Sequence, residues 1–435
     1  MRSVAGRLIC EEKTMLQRKK TPANRRNFIK AAGAVTAAAG LGFPFVSRAQ
    51  NKPIRIGVPT ILSGRVAQLG ISSRNSLQME ADKFNAAGGL GGRMIELVTR
   101  DSKGKPKEAA NNTRQLINSE GCEIIIDAEA SSGGFAVQEV IRELKVLCIH
   151  TNSETSSLSA DPKIRVPTAF RAARQGIHDA IVSAAYAANV AKAKGLKTWM
   201  SCSPDYAYGR DNTALFLEYL KRFNPGMEFV GEAWPKLFQA DYTENITKIL
   251  QAKPQALYSA LWAGDLVSFV DQAGIYNLLA QTSLFAINLA DYTTLTAIKN
   301  LPAGIHSSTR YLKTFPANSE NAAWADTYRS KFRDFPTNWA WENSLALSFL
   351  TTAMKKTNST DTNKLAEALR GMKIKSPFGA DGTVTMRADD QTTIGYAIGW
   401  GTTISKEPYV PNVTQGDWKS ILEHEAEWKK KMGYA

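Results

Sequence analysis

Apolar and polar positions alternate along 54–58, where Ile54, Ile56 and Val58 face one way. The run stops at Pro59 and the Ser63-Gly64 pair, which predicts a strand feeding a turn. Over 72–87 the spacing lengthens to three and four residues, with Leu77, Ala81 and Phe84 on one stripe. Gly88-Gly89 and Gly91-Gly92 end that helix before 94–99 extends again. A strand, helix, strand unit of this length closes as a right-handed parallel crossover. The same alternation recurs: a helix over 106–119, a continuous apolar strand at Ile124-Ile125-Ile126, a helix over 135–144 and a strand over 146–149. Strands apolar throughout are buried on both faces, as in a parallel sheet covered by helices.

A second series starts near Phe170. It predicts helices over 177–191 and 266–273 and strands over 198–201, 256–261 and 283–287. A strand over 304–311 and helices over 318–333 and 338–355 follow, then strands over 379–387 and 394–400 and a charged helix over 417–431. No G-x-G-x-x-G follows the first strand, which argues against a dinucleotide site.

At 435 residues the chain is long enough for two domains with substantial cores, and 43% hydrophobic residues is ordinary for a globular protein. The formal charge of +14 is concentrated at the start, since residues 1–49 hold ten Lys or Arg against two Glu. The remainder has no basic stripe interleaved with aromatics, so nucleic acid is not expected as a partner. Cys122, Cys148 and Cys202 form no C-x-x-C pair and lie in or beside apolar runs, the setting of inert thiols. Arg25-Arg26-Asn27-Phe28-Ile29-Lys30 has the twin-arginine export pattern. It is followed by a moderately apolar Ala/Gly-rich stretch and by Ser47-Arg48-Ala49, so residues 1–49 are expected to be a cleaved signal peptide placing the mature chain in the periplasm. That stretch is too short and Gly-rich to span a membrane, and no stable membrane insertion is expected.

The order IRIG, SG, AQLG, FNAAGGLGGRMIELVTRDSKGKP resembles the leucine/isoleucine/valine-binding family of periplasmic solute-binding proteins. The likeness runs over about 52–410. It implies an α/β fold of two Rossmann-like lobes with parallel sheets joined by a three-strand hinge, the type I periplasmic binding fold. The expected boundaries are 50–169 plus 301–390 for the N-terminal lobe and 170–300 plus 391–435 for the C-terminal lobe.

Candidate site residues lie beyond the carboxyl ends of the strands, where open α/β sheets bind ligands. Ser131 and Ser132 offer hydroxyls and helix-start N–H groups suited to a carboxylate or polar head, although Ser131 is equally suited to capping the helix. In the family, the serine of this loop and an Ala-x-Thr unit in the next hold the ligand's carboxylate and ammonium. Here the second unit departs from that pattern. Strict spacing gives Asn152 and Glu154, and a shift of one residue gives Ser153 and Thr155. A ligand-facing Glu154 favours a neutral or cationic ligand; a ligand-facing Thr155 leaves amino acids and aromatic acids acceptable. The second register is preferred because it buries no extra charge, and the first stays open. In the second series, Tyr208 matches the family's D-x-x-Y-G turn, whose Tyr closes over the ligand. Trp262 is placed to floor the pocket, Asn288 or Asp291 to meet an ammonium, Leu69 stands where relatives often carry an aromatic, and Trp341 where they often have a cleft-facing Tyr.

The resemblance implies a monomeric receptor, without cofactor or metal, that closes on a small organic solute and passes it to the membrane permease of an ABC transporter. The solute is expected to be like a branched-chain amino acid, or an aromatic or aliphatic carboxylate or amide. A ligand sensor of the same fold feeding a signalling partner is the alternative, with an exported enzyme behind it. His150, His178 and His306 lack metal spacing, and G-x-S-x-G and P-loop patterns are absent.

Overall fold

A computed structural model of the protein describes residues 52–435. The signal peptide expected at 1–49 lies outside the described residues. The first series runs β1 (Ile54–Thr60), α1 (Gln68–Ala86), β2 (Ile95–Asp101), α2 (Pro106–Asn118), β3 (Ile124–Asp127), α3 (Ser131–Leu144), β4 (Leu147–His150), α4 (Ser157–Ala160) and β5 (Ala169–Arg171). Its five strands form one parallel sheet ordered β2-β1-β3-β4-β5. All four residues of β3 and of β4 are buried, as their unbroken apolar character requires. The α1–β2 turn depends on Gly89, at φ +65°, where a Cβ would stand 2.1 Å from the Arg93 carbonyl oxygen.

The second series runs α5 (Gly176–Lys194), β6 (Thr198–Cys202), α6 (Ala207–Phe223), β7 (Glu228–Ala233), α7 (Thr243–Ala252), β8 (Ala256–Ser259), α8 (Ala263–Ile275), β9 (Ser283–Ala286), β10 (Ala290–Asp291), α9 (Tyr292–Leu295) and β11 (His306–Tyr311). The chain then forms α10 (Ser319–Phe332), α11 (Asn338–Thr357), α12 (Thr362–Leu369), β12 (Lys373–Lys375), β13 (Thr383–Met386), β14 (Thr393–Ile394), β15 (Gly399–Thr402), β16 (Thr414–Gln415) and α13 (Trp418–Met432). The second sheet is ordered β16-β15-β11-β9-β8-β6-β7, parallel from β7 to β11 and antiparallel at β15 and β16. A small antiparallel sheet, β12-β13-β14, completes the chain. The fold is therefore two α/β lobes, each built on a sheet that is parallel in its main part.

The second sheet continues beyond residue 301, where the lobe boundary is expected from the resemblance. β11 pairs with β9 and β15 in the second sheet, so the chain turns back toward the first lobe only at the end of β11, where α11 packs on α1. Near the other crossings Arg171 bridges to Thr392, and its N–H donates to the Gln391 carbonyl at 2.8 Å. The three described cysteines are free and buried. Among the described residues no helix is long and apolar enough to cross a membrane.

Candidate functional site

The carboxyl ends of the two sheets face one cavity. The first lobe supplies Leu69 at the start of α1, Ser131 at the start of α3, and Asn152 and Glu154 from the loop after β4. The second supplies Tyr206 and Tyr208 after β6, Trp262 after β8, and Asn288 and Asp291 after β9. Arg310 from β11, with Asn338 and Trp339 from the start of α11, completes the wall.

Local hydrogen bonds fix most of these groups. The Ser131 hydroxyl accepts from the Glu154 and Thr155 N–H groups at 3.2 and 3.3 Å, tying the loop after β4 to the start of α3. Asn152 donates to the Ser73 hydroxyl and the Ala128 carbonyl and accepts from Asn343 at 3.0 Å. Asn288 donates to the Ala260 and Leu261 carbonyls at 3.2 and 3.1 Å, and its amide also meets the Tyr208 hydroxyl, with the nitrogen at 3.1 Å and the oxygen at 3.3 Å. Asp291 accepts from Thr293 N–H, capping α9, and from Asn338 N–H at 2.6 Å, so it also fastens the start of α11. Aromatic rings line the second-lobe side: Trp262 lies 6.5 Å from Tyr206 and meets Trp339 edge-on at 5.8 Å, measured between ring centroids.

One wall is a buried charge network. Arg310 pairs with Glu154 and, at 2.9 Å, with Asp179, which also pairs with Arg174 at 2.5 Å. Arg174 N–H donates to Glu342, and its guanidinium reaches the Ser308 hydroxyl and the Thr309 carbonyl. Burial pushes the Glu154 carboxyl above its ordinary range, with Arg310 pulling the other way. Burial also opposes the charge of Arg310, but Glu154 and Asp179 hold that guanidinium charged well above its ordinary range. Burial acts to raise Asp179 too, yet Arg174 and Arg310 bring it below its usual value. Burial, then the neighbouring Glu154, pushes Glu342 well up. Charges so far from water persist only when paired in this way.

At the cavity's rim the lobes meet directly. Arg65, on the loop after β1, donates to the Gly264 carbonyl at 2.9 Å and to the Ser268 hydroxyl at 2.6 Å, and it pairs with Asp265 at 3.3 Å. Gly264 permits this approach, since a Cβ there would lie 2.8 Å from the Arg65 carbonyl oxygen.

A family model described as periplasmic binding protein matches residues 53–398. The chain belongs to that family. A twin-arginine signal model matches residues 22–42, so this binding protein is exported to the periplasm. It is 22% identical, over 82% of its own length and 86% of the relative's, to Leu/Ile/Val-binding protein homolog 4 of Brucella abortus. Among solved structures it is similar to a solute-binding protein of an ABC transporter from Rhodopseudomonas palustris, crystallised with 3,4-dihydroxybenzoic acid. That match has a TM-score of 0.75, 20% identity, and covers 84% of this chain and 98% of the other. It is also similar to the leucine-, isoleucine-, valine-, threonine- and alanine-binding protein of Brucella ovis in its closed conformation, at a TM-score of 0.70, 20% identity, and coverage of 84% and 93%.

Of the residues singled out from the sequence, the binding protein brings Leu69, Ser131, Glu154, Tyr208, Trp262 and Asn288 to the cavity wall. Ser132, Ser153, Thr155 and Trp341 lie outside it. Ser153 donates to the Glu129 carbonyl, and Thr155 presents its carbonyl to Arg171 at 2.7 Å. Trp341 is buried against Phe378 and Tyr396, with its indole N–H on the Arg310 carbonyl at 3.2 Å. Of the two registers, the one with Asn152 and Glu154 faces the cavity: Arg310 accommodates the carboxylate that had seemed too costly to bury. Ser131 stands at the first helical residue of α3, and Ala130 holds the cap position.

Sequence reading did not assign Arg310, Asn338, Trp339 or Tyr206 to the site. Arg310 carries the one available signal, a cation inside a buried strand. Trp339 and Trp341 differ by about 200° around a helix, and only the pose of α11 decides which faces the cavity. His150 stays out of the wall, held between Asp127 at 2.5 Å and Gln138 at 3.0 Å.

Proposed function

We propose that the protein captures a small organic solute between its two lobes and hands it to the membrane permease of an ATP-driven importer, acting as a monomer and breaking no bond. In this reading the first lobe comprises 52–171 and 312–390, and the second comprises 172–311 and 391–435. The observation that carries the reading is the cavity itself: Leu69, Ser131 and Glu154 come from one sheet's edge, and Tyr206, Tyr208, Trp262 and Asn288 from the other's. A solute held there touches both lobes at once, so binding favours the closed arrangement. Aromatic walls suit a planar or branched apolar body, and the charged wall suits a single polar end. The relatives' names, which speak of branched-chain amino acids and hydroxybenzoic acids, agree with a solute of that size.

The test is a thermal-shift screen of the mature protein against amino acids, amines, amides and aromatic and aliphatic acids, followed by calorimetric titration of each solute that shifts the midpoint. One-to-one binding with the solute recovered unchanged is expected. Failure of every solute to bind, or conversion of a bound solute, would overturn the reading.

A further inference from the structure

Among the described residues, two acceptor-only oxygens in the cavity wall have nothing to accept from. Glu154 and Asn338 are both buried. The first oxygen of Glu154 (Oε1) receives Arg310 and, at 3.4 Å, the Asn338 amide N–H. Its second oxygen (Oε2) has no partner, nor has the Asn338 oxygen (Oδ1). The Asn338 orientation is set by its neighbour: turning the amide over would point its oxygen at the Glu154 carboxylate. An unfilled buried acceptor is left with its desolvation cost uncompensated, a cost that a hydrogen-bond donor on the solute would remove.

The charge around these atoms has one sign in excess. The ion-paired part of the network sets Glu154 and Asp179 against the guanidinium groups of Arg174 and Arg310; Glu342, on the Arg174 backbone N–H, is pushed by burial toward its neutral form, and Asp291 stands in the same wall as a further carboxylate held only by N–H groups. Arg310 already serves two carboxylates. A carboxylate placed here would meet more acid than base; a protonated nitrogen would offset the excess and supply the missing hydrogens.

Resting on the proposed solute-capture function, we infer that the solute's polar end is a positively charged nitrogen group, an ammonium or an amidinium, donating to Glu154 Oε2 and Asn338 Oδ1. The apolar body then lies against Trp262 and Tyr208. Glu154 is the specificity-determining residue and Asn338 its neutral companion.

Matched probes that differ only in the head group test this on the full mature protein: benzamidine, benzamide and benzoate, with isopentylamine, isovaleramide and isovalerate as the aliphatic set. Calorimetric titration is expected to give at least one cation binding tenfold or more tightly than its carboxylate counterpart, with the amide between them. Glu154→Gln should weaken the cation about tenfold or more and leave the amide nearly unchanged. Carboxylates binding as well as or better than the cations, or neither cation binding, overturns the inference, as does an unchanged cation affinity in a folded Glu154→Gln protein. If that variant does not fold, the wild-type series alone decides. The solute-capture reading falls separately, only if the wider panel of amino acids, amides and acids is silent as well.

Discussion

Replacing Arg310 with methionine isolates what the buried charge network contributes to the fold. The variant keeps much of the side chain's bulk but, among the described residues, withdraws the one cation paired with Glu154 and one of the two paired with Asp179. Asp179 retains Arg174, whereas Glu154 is left with an amide contact at 3.4 Å. Breaking a buried pair by removing one partner costs about 3–5 kcal/mol. With an unfolding entropy of roughly 2.1 cal/mol/K per residue, a chain of this size loses about a degree of melting temperature per kcal/mol, so Arg310→Met should melt about 4–6 °C lower. The sign of the pH dependence follows from Glu154. Its folded value already lies above the ordinary 4.5 because of burial, with Arg310 opposing, and without Arg310 it rises further. A carboxyl raised on folding favours the native state at low pH, and that contribution is lost as pH rises through the folded value. The deficit of Arg310→Met should therefore be larger at pH 8 than at pH 5. Urea unfolding and scanning calorimetry at both pH values measure it, and the double variant Arg310→Met/Glu154→Gln should recover a good part of the loss. A single variant costing less than about 1 kcal/mol, or a double variant as unstable as the sum of the two singles, would refute the argument.

Arg65→Ala removes every described bond from the loop after β1 to Gly264, Asp265 and Ser268. The solute-free protein should then show a larger radius of gyration by small-angle scattering and several-fold weaker solute binding, because the binding-competent closed state is less populated; an unchanged radius would remove Arg65 as a latch. Trp262→Ala takes away a ring that touches Tyr206, Phe238 and Trp339, and calorimetry should find solute affinity reduced at least tenfold. Glu425 is pushed up by burial but held well below its ordinary 4.5 by His178, Lys429 and Arg387. Its stabilisation is present at neutral pH and lost as pH falls below 4.5 toward the lowered value. Glu425→Gln should accordingly melt lower at pH 7 and lose less on acidification than the parent, and parallel acid limbs in the two proteins would count against this.

The alternation of periods in the sequence locates the central strands, because β1, β3, β4, β8 and β11 are buried along nearly their whole length, whereas β7 and β16 are largely exposed. The runs at Ile124-Ile125-Ile126 and at 256–261 needed no tertiary information. Loops at the carboxyl ends of strands were equally legible, which is why Ser131, Tyr208 and Asn288 reach the cavity wall. What the sequence withholds is pairing over distance. Glu154 and Arg310 lie 156 positions apart, and nothing local reveals that one compensates the other, so a charge at 154 looked too costly to bury. The rotation of α11 is hidden for a related reason: with 14 of its 20 residues buried, it has no polar stripe from which to tell Trp339 from Trp341.

The missing side chain at Gly264 makes the rim a sensitive gauge of jaw separation. A methyl group there would collide with the Arg65 carbonyl oxygen, 2.8 Å away, while leaving every residue of the cavity wall in place. Alanine at 264 would act as a wedge, propping the mouth ajar, and would give a form of the receptor suited to watching the step that follows first contact with its cargo.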